Sequence, residues 1–492
     1  MLFNSYIFVF LFFPICLIGF YLFKGLYDGR VAKIFLTLMS LWFYGYFNKS
    51  YLLIMLCSIA LNYAAFSCMR LIRKKRMAIA PSIVLVVAII ANLGVLFYFK
   101  YFDFFLDNLN KAFGCEFVLR GILLPLGISF FTFQQISFLV DSYRGELKEC
   151  SFIDYSLYVS FFPQLIAGPI VNHEEMLPQF KTISKRQFSS EVFYKGFVLF
   201  TLGMAKKVLI ADTFGAAADY GFSNIAGLYR IEAVLTMLFY SLQLYFDFSG
   251  YCDMARGLAK MLMLELPVNF NSPYKAGSIT EFWKRWHITL SRFFTKYVYI
   301  PLGGNRKGEV RMYFNLFVVF FLSGLWHGAG WNFILWGCLH GILYLFTRYY
   351  ERSGKRKASN ENLSNLLTFI FVNAAWVFFR AQNASDALKL FYMMFDGYRG
   401  FNIHGDFAVA FCLDEIWYPM KVLGIDALSM GYCVPMFLWT ILSIPCVFFA
   451  PNADEIAAKG NTKWWFILGI AVVFVWSVLT LGRVSTFLYF NF

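Results

Sequence analysis

The feature that most constrains this chain is a succession of apolar runs with few charges, most of them close to the length of a bilayer crossing. The first, Tyr6 to Phe23, holds no charged residue. Others fall near 33–47, 51–69, 79–99, 119–140, 192–211, 231–249, 311–326, 329–348, 364–379, 432–450 and 464–481. A helix needs about 20 apolar residues to span the hydrocarbon, so the pattern predicts an all-α, polytopic membrane protein with about 11–13 spans or re-entrant helices. Composition agrees: 60% of residues are hydrophobic and 15% charged, where soluble domains carry about 25% charged. The run 151–170 is interrupted by Pro163, Gly168 and Pro169. Such breaks survive at membrane depth only when protein or a cavity covers the freed backbone groups.

The net charge of +14 does not point to nucleic acid. The cations sit in short clusters between apolar runs, as in Arg70-Leu-Ile-Arg73-Lys-Lys-Arg76 and Arg352-Ser-Gly-Lys355-Arg-Lys357. That is the positive-inside pattern of cytoplasmic loops, and it also suits contact with anionic lipid. Lys24, Arg30 and Lys33 assign the first loop to the cytoplasm, which puts the amino terminus outside; the same counting puts the carboxyl terminus outside and 381–431 on the outer side. The first run has no basic start and no small-residue cleavage site, so it reads as a retained span rather than a signal peptide. The ten cysteines are scattered, without a CxxC, and read as apolar packing residues rather than metal ligands or a disulfide framework. With no internal repeat or low-complexity linker, residues 1–492 read as one membrane domain, with core segments in 120–345, an outer loop at 381–431 and a tail at 482–492.

The stretch 266–310 differs: it is amphipathic, rich in Trp and Arg, and lacks a 20-residue apolar run. It reads as a segment lying at the inner interface or dipping partway in.

Five histidines are present. An ionisable residue inside a membrane segment is a functional-site hypothesis by default. His327 lies between two apolar runs, flanked by Gly324, Gly328 and Gly330, which permit close approach of backbone or ligand. A buried neutral imidazole there suits a general base, or one structural hydrogen bond. His287 reads as interfacial, His340 as packing or helix–helix hydrogen bonding, and His173 as an ordinary loop residue; His404, in the outer stretch, carries no assignment. There is neither a phosphate-binding GxxxxGK[ST] loop nor an HExxH, so ATP-driven and zincin chemistry are not indicated. Asp247 and Asp253, at the end of one run, suit a cation path in a transporter, the reading from another class; a scaffold for an envelope assembly is a third.

Several segments in succession carry a resemblance. They are Leu124-Pro-Leu-Gly-Ile-Ser-Phe-Phe-Thr-Phe-Gln-Gln, Phe161-Phe-Pro-Gln-Leu-Ile-Ala-Gly-Pro-Ile and Tyr245-Phe-Asp-Phe-Ser-Gly-Tyr-Cys-Asp-Met-Ala. Then follow Phe270-Asn-Ser-Pro-Tyr, Phe282-Trp-Lys-Arg-Trp-His-Ile-Thr-Leu-Ser, Tyr299-Ile-Pro-Leu-Gly-Gly-Asn-Arg and Leu325-Trp-His-Gly. In this order, across nearly the whole chain, the set resembles the membrane-bound O-acyltransferase (MBOAT) family, and within it the O-acetyltransferases of alginate and peptidoglycan. The resemblance implies a ring of helices around a thin central region, where a funnel from each side meets near one essential histidine. His327 matches that position and His287 the second, upstream polar position. Asp212, Trp326 and Asn305 fall in matching segments as supporting residues.

The resemblance further implies transfer of an acetyl group from a cytosolic thioester, acetyl-CoA or another acyl thioester, with no bound cofactor and no metal. It implies a bacterial inner-membrane location, a periplasmic or extracellular acetyltransferase partner at the outer face, and a surface polysaccharide as final acceptor. D-alanyl or lipid acyl transfer stays open within the family. Lys284 and Arg285 suit either the phosphates of CoA or interfacial anchoring. The tail Phe487-Leu-Tyr-Phe-Asn-Phe492 resembles a carboxyl-terminal motif of these transferases, in which Tyr489 docks a partner, carries the acyl group transiently, or anchors at the interface.

Overall fold

The structure is a computed structural model that describes residues 1–76, 80–353, 360–396, 400, 402–425, 431–482 and 487–488. The described residues form helices and connecting turns, with no strand among them. Six helices are long and apolar enough to cross a bilayer: Lys49–Lys75, Pro81–Phe113, Glu309–His327, Glu361–Arg380, Gly431–Phe448 and Trp464–Gly482. The other apolar runs fold as shorter, more polar or interrupted helices. Phe8–Phe23 begins with a π turn, and Ser190–Ala205 continues as the π turn Lys206–Ala211. The run expected at 119–140 is helical only from Ile128, because Gly127 holds a left-handed φ of 71° at the start of Ile128–Arg144. Ahead of it, the backbone amides of Arg120 and Ile122 donate to the Asp103 carboxylate at 2.9 and 3.1 Å.

The chain packs as two compact units, each discontinuous in sequence. The first comprises Met1–Thr201, Tyr251–Val268 and Gly460–Thr462. Its helix Lys49–Lys75 starts at Asn48, whose side chain accepts the Ser50 amide, and ends in the basic turn Arg73, Lys74, Lys75 that suits the negative end of the helix dipole. Asn62 and Asn92 exchange side-chain hydrogen bonds at 3.1 and 2.7 Å between Lys49–Lys75 and Pro81–Leu96. Paired amides of this kind join helices where lipid offers no polar partner. The broken run divides into Phe152–Ser160 and Phe162–Leu165. Its freed Tyr158 carbonyl accepts from both Gln134 and Gln164 at 2.7 Å, so protein covers the break as its apolar surroundings require.

The second unit comprises Leu202–Gly250, Asn269–Lys459 and Lys463–Phe492. Its tightest pairing is Glu309–His327 against Trp331–Arg352. A Cβ on Gly324 would lie 2.4 Å from the Phe333 carbonyl oxygen, and one on Gly337 2.5 Å from that of Phe320. Only glycine permits this backbone approach, the small-residue route to helix packing in membranes. The 266–310 stretch folds into Ile279–Arg285, Ile288–Phe294 and the π turn Thr295–Tyr299. Its aromatic face is packed inside the unit: Trp286 is 1% exposed and His287 0%. His287 is therefore covered by protein rather than exposed at the surface of the unit.

Candidate active site

Local backbone chemistry fixes His327. It is the last residue of Glu309–His327, and the next turn reverses the chain through Gly328 into Trp331–Arg352. A Cβ on Gly328 would fall 2.1 Å from the Phe333 ring. Asn332 anchors the turn by donating to the Ala381 carbonyl at 2.8 Å. The His327 ring is then walled by Trp326 at 4.8 Å, Trp336 at 5.1 Å and Phe379 at 5.1 Å between centroids, and its residue is 2% exposed.

His287 reaches the same place from another element. It sits at the start of Ile288–Phe294 with φ 44°, a left-handed conformation that a non-glycine residue holds only under outside support. Asn269 supplies much of it. Its carbonyl oxygen accepts the Ile288 amide at 3.0 Å, while its Oδ1 receives the Thr289 amide at 3.2 Å and the Thr289 hydroxyl at 2.9 Å. The same Oδ1 lies 3.2 Å from His287 Nδ1. An amide oxygen only accepts, so Nδ1 carries the hydrogen and the lone pair stands on Nε2. Burial pushes the His287 imidazole down, to about 3, so the ring is neutral at physiological pH. The His287 and His327 centroids are 6.4 Å apart, with Trp326 6.1 Å from His287. Two buried imidazoles and three aromatic side chains thus converge, an arrangement suited to taking a proton from a hydroxyl brought between them.

Asp212, another predicted residue, is part of a buried charge cluster. Lys207 Nζ lies 2.6 Å from Asp212 Oδ1 and 2.7 Å from Asp247 Oδ1. The close crossing at Gly250, where a Cβ would sit 2.7 Å from the Gly203 carbonyl oxygen, seats Lys207 there. Asp247 is thereby matched to a lysine, not arranged as an open cation ligand. Phe248, its neighbour, meets His287 edge-on at 4.9 Å.

Arg285 is held by its own neighbours. Its Nε and one terminal nitrogen bind Glu281 at 2.9 and 2.8 Å, and the other donates to the Asn271 carbonyl at 3.2 Å. Lys284 instead lines a cavity of about 360 Å³ together with Arg292, Ser291, Thr295 and Phe320, and this cavity reaches Ser323. Ser323 is one helical turn before His327 on the same helix. Arg292 and Asn269 were not singled out from the sequence, although Asn269 lies in the distinctive Pro267-Val-Asn-Phe-Asn-Ser-Pro-Tyr stretch. Asn305 is exposed in the turn at 301–307, and none of the described contacts around His287 and His327 includes it. His340 accepts from Trp283 Nε1 at 3.3 Å, the packing role expected.

His173 departs from expectation. It is 4% exposed, and its Nδ1 lies 3.2 Å from the buried Asp141 carboxylate within the first unit. His404, in the second, binds the buried Glu232 carboxylate through its amide at 2.6 Å and Nδ1 at 2.9 Å. Tyr489 lies outside the described residues.

A membrane chain whose two buried histidines lie 6.4 Å apart among aromatic side chains fits a transferase, and known proteins identify the class. The model of MBOAT, the membrane-bound O-acyltransferase family, matches residues 123–384, more than half of the chain. The peptidoglycan O-acetyltransferase of Helicobacter pylori is 40% identical over 527 residues, covering 100% of this chain and 98% of the relative. A probable alginate O-acetylase of Pseudomonas aeruginosa is 40% identical over 471 residues, 94% of this chain and 86% of the relative. The teichoic acid D-alanyltransferase of Bacillus subtilis is 28% identical over 250 residues, 48% of this chain and 62% of the relative. The chain belongs to the membrane-bound O-acyltransferase family; it is a multi-pass membrane acyltransferase that uses an acyl donor.

Proposed function

We propose that this enzyme moves an acetyl group from a cytosolic thioester, acetyl-CoA or a related acyl thioester, toward O-acetylation of a cell-surface polysaccharide such as peptidoglycan or alginate. The observation that carries the reading is the convergence of His287 and His327 at 6.4 Å inside an aromatic wall. The near-full-length likeness to a peptidoglycan O-acetyltransferase supports the acetyl group over D-alanine, for which the matched relative covers only 48% of the chain. Because the matched family region runs through stretches of both units, residues 1–492 act as one acyltransferase domain.

In this mechanism His327 accepts the proton of the acceptor hydroxyl as its oxygen bonds to the thioester carbonyl carbon. The C–S bond then breaks, and the imidazolium returns the proton to the departing thiolate. His287, with its lone pair on Nε2, accepts a hydrogen bond from the reacting hydroxyl and so orients it. Asp212 supports the site through Lys207, and Trp326 closes one wall. Lys284 and Arg292 meet the donor's phosphates at the mouth of the cavity that leads to Ser323. The basic loops put that mouth at the cytoplasmic face of a bacterial inner membrane, with both termini outside. A periplasmic or extracellular acetyltransferase receives the acetyl group at the outer face, with Tyr489 as its docking or carrier residue.

The test is the O-acetyl ester content of the surface polysaccharide in cells carrying wild-type enzyme or His327→Ala at matched membrane abundance. Loss of ester with folded protein supports transfer through His327; unchanged ester overturns it.

A further inference from the structure

Asp247 is a buried carboxylate whose position the acyl-transfer chemistry does not explain. It is 1% exposed. Its Oδ1 is held 2.7 Å from Lys207 Nζ, and its Oδ2 accepts the backbone amide of Leu488 at 3.0 Å. The two residues 247 and 248 therefore meet the two residues 487 and 488 at two points. One is that hydrogen bond; the other is the Phe487 ring, 6.2 Å from the Phe248 ring. Phe487 and Leu488 are themselves buried, at 2% and 7% exposure. Phe248 in turn meets the His287 imidazole edge-on at 4.9 Å and 87°.

The chemistry of this bond matters. A carboxylate accepting an amide N–H makes a charge-assisted hydrogen bond, and the backbone donor spends no side-chain entropy. It fixes where the chain runs without reading which side chain stands at 488. Lys207 Nζ stands 2.7 Å from the other oxygen of the same carboxylate, so both oxygens of Asp247 are engaged. At the other end of the chain of contacts, His287 holds a left-handed φ of 44°. Such a conformation persists only where surrounding structure over-determines it. Asn269 fixes Nδ1 and the following backbone, and Phe248 backs the ring.

We propose that Asp247 is a positioning residue for His287: by binding the Leu488 amide it straps the Phe487–Leu488 segment against Phe248, and Phe248 holds the imidazole in its strained, productive orientation. The activity arm of this inference rests on the proposed acyl-transfer reading; the strap itself does not.

The experiment uses the full chain in membranes, with a protease site and affinity tag placed after residue 492. Wild type, Asp247→Ala, Leu488→Pro, their double variant and His327→Ala are compared for tag release and for acetyl-transfer kinetics. Leu488→Pro removes the donated N–H and leaves the Lys207–Asp247 pair in place, so it carries the test if Asp247→Ala fails to fold. Each single tail variant is expected to speed tag release and lower kcat by about tenfold or more, the effect of losing one hydrogen bond to a charged group, with donor KM little changed. The double variant is expected to be no worse than the poorer single, since both remove one bond. His327→Ala is expected to abolish transfer with the tag still protected. The proposal is overturned if either single variant protects the tag as wild type does, or if the double variant multiplies the two losses. Failure of the acyl-transfer reading looks different: His327→Ala keeps transfer while the tail variants still release the tag.

Discussion

His287 combines a left-handed backbone with a fully buried ring, and both costs are met by named neighbours. Burial places its folded-state value near 3, well below that of a free imidazole near 6.5. The sign follows directly. Above the unfolded value the ring is neutral in both states and its contribution is fully present. As pH falls from about 6.5 toward 3, the unfolded chain takes up the proton first, so stability declines through that window. The expected result is acid unfolding of the purified enzyme that is shallower over this window in His287→Gln; identical acid profiles would overturn the assignment. Asn269 gives a second prediction at this scale. Asn269→Asp places a carboxylate against Nδ1 and favours the charged ring, so the acid limb of the kcat pH profile should move to higher pH than in the wild type. Asn269→Leu removes three hydrogen-bond contacts at Oδ1 and should cost about 2–4 kcal/mol by thermal unfolding.

At the scale of elements, the site depends on one close helix pair. Gly324 and Gly337 let Glu309–His327 and Trp331–Arg352 approach until a Cβ would overlap a carbonyl oxygen. Gly337→Val is therefore expected to push the helices apart, lower thermal stability by about 1–3 kcal/mol and reduce kcat, because His327 ends one of the two. Gly469→Val, where a Cβ meets open space, is the matched control and should leave both unchanged. Equal effects of the two would show that the crossing does not set the His327 position. These glycines also mark how far the sequence could be read. Apolar runs of about 20 residues announced the spanning class, and the ordered segments around Trp326 and His287 pointed to the proposed site. What the runs could not show was where helices stop: Gly127 delays one start by its positive φ, and π turns extend others. Pairings distant in sequence were also hidden. Nothing local distinguishes Asn269 from a turn asparagine, or assigns Lys284 to Arg292 rather than to its neighbour Arg285. The burial of His173 against Asp141 is of the same kind, since the partners are separated by the broken segment.

At the scale of the whole molecule, an enzyme that hands an acetyl group across a bilayer must keep donor and acceptor on opposite faces, and this sets an order for its parts. By the positive-inside rule, cationic clusters such as Arg70 to Arg76 are expected on the cytoplasmic face. On the proposed reading the donor is a CoA thioester whose phosphates are too polar to enter from lipid, so the cations that bind it belong on the cytoplasmic side. Lys284 and Arg292 are the pair that lines the cavity running to Ser323, one turn from His327. Lys284 is exposed, so removing its charge should weaken donor binding without touching the pocket where bonds change. Lys284→Ala is expected to raise the donor KM by about threefold to tenfold, with kcat within about twofold, and the ratio should shrink as salt rises. Sidedness is then read independently. In a chain whose ten native cysteines are replaced, Lys284→Cys should react with a membrane-impermeant thiol reagent in inside-out vesicles, be shielded by added acetyl-CoA, and stay unlabelled in right-side-out vesicles. Labelling from the outer side would reverse the direction of transfer, because the same cavity would then face the acceptor. Labelling from the inner side without protection by acetyl-CoA would leave the direction intact and remove this cavity as the donor's route.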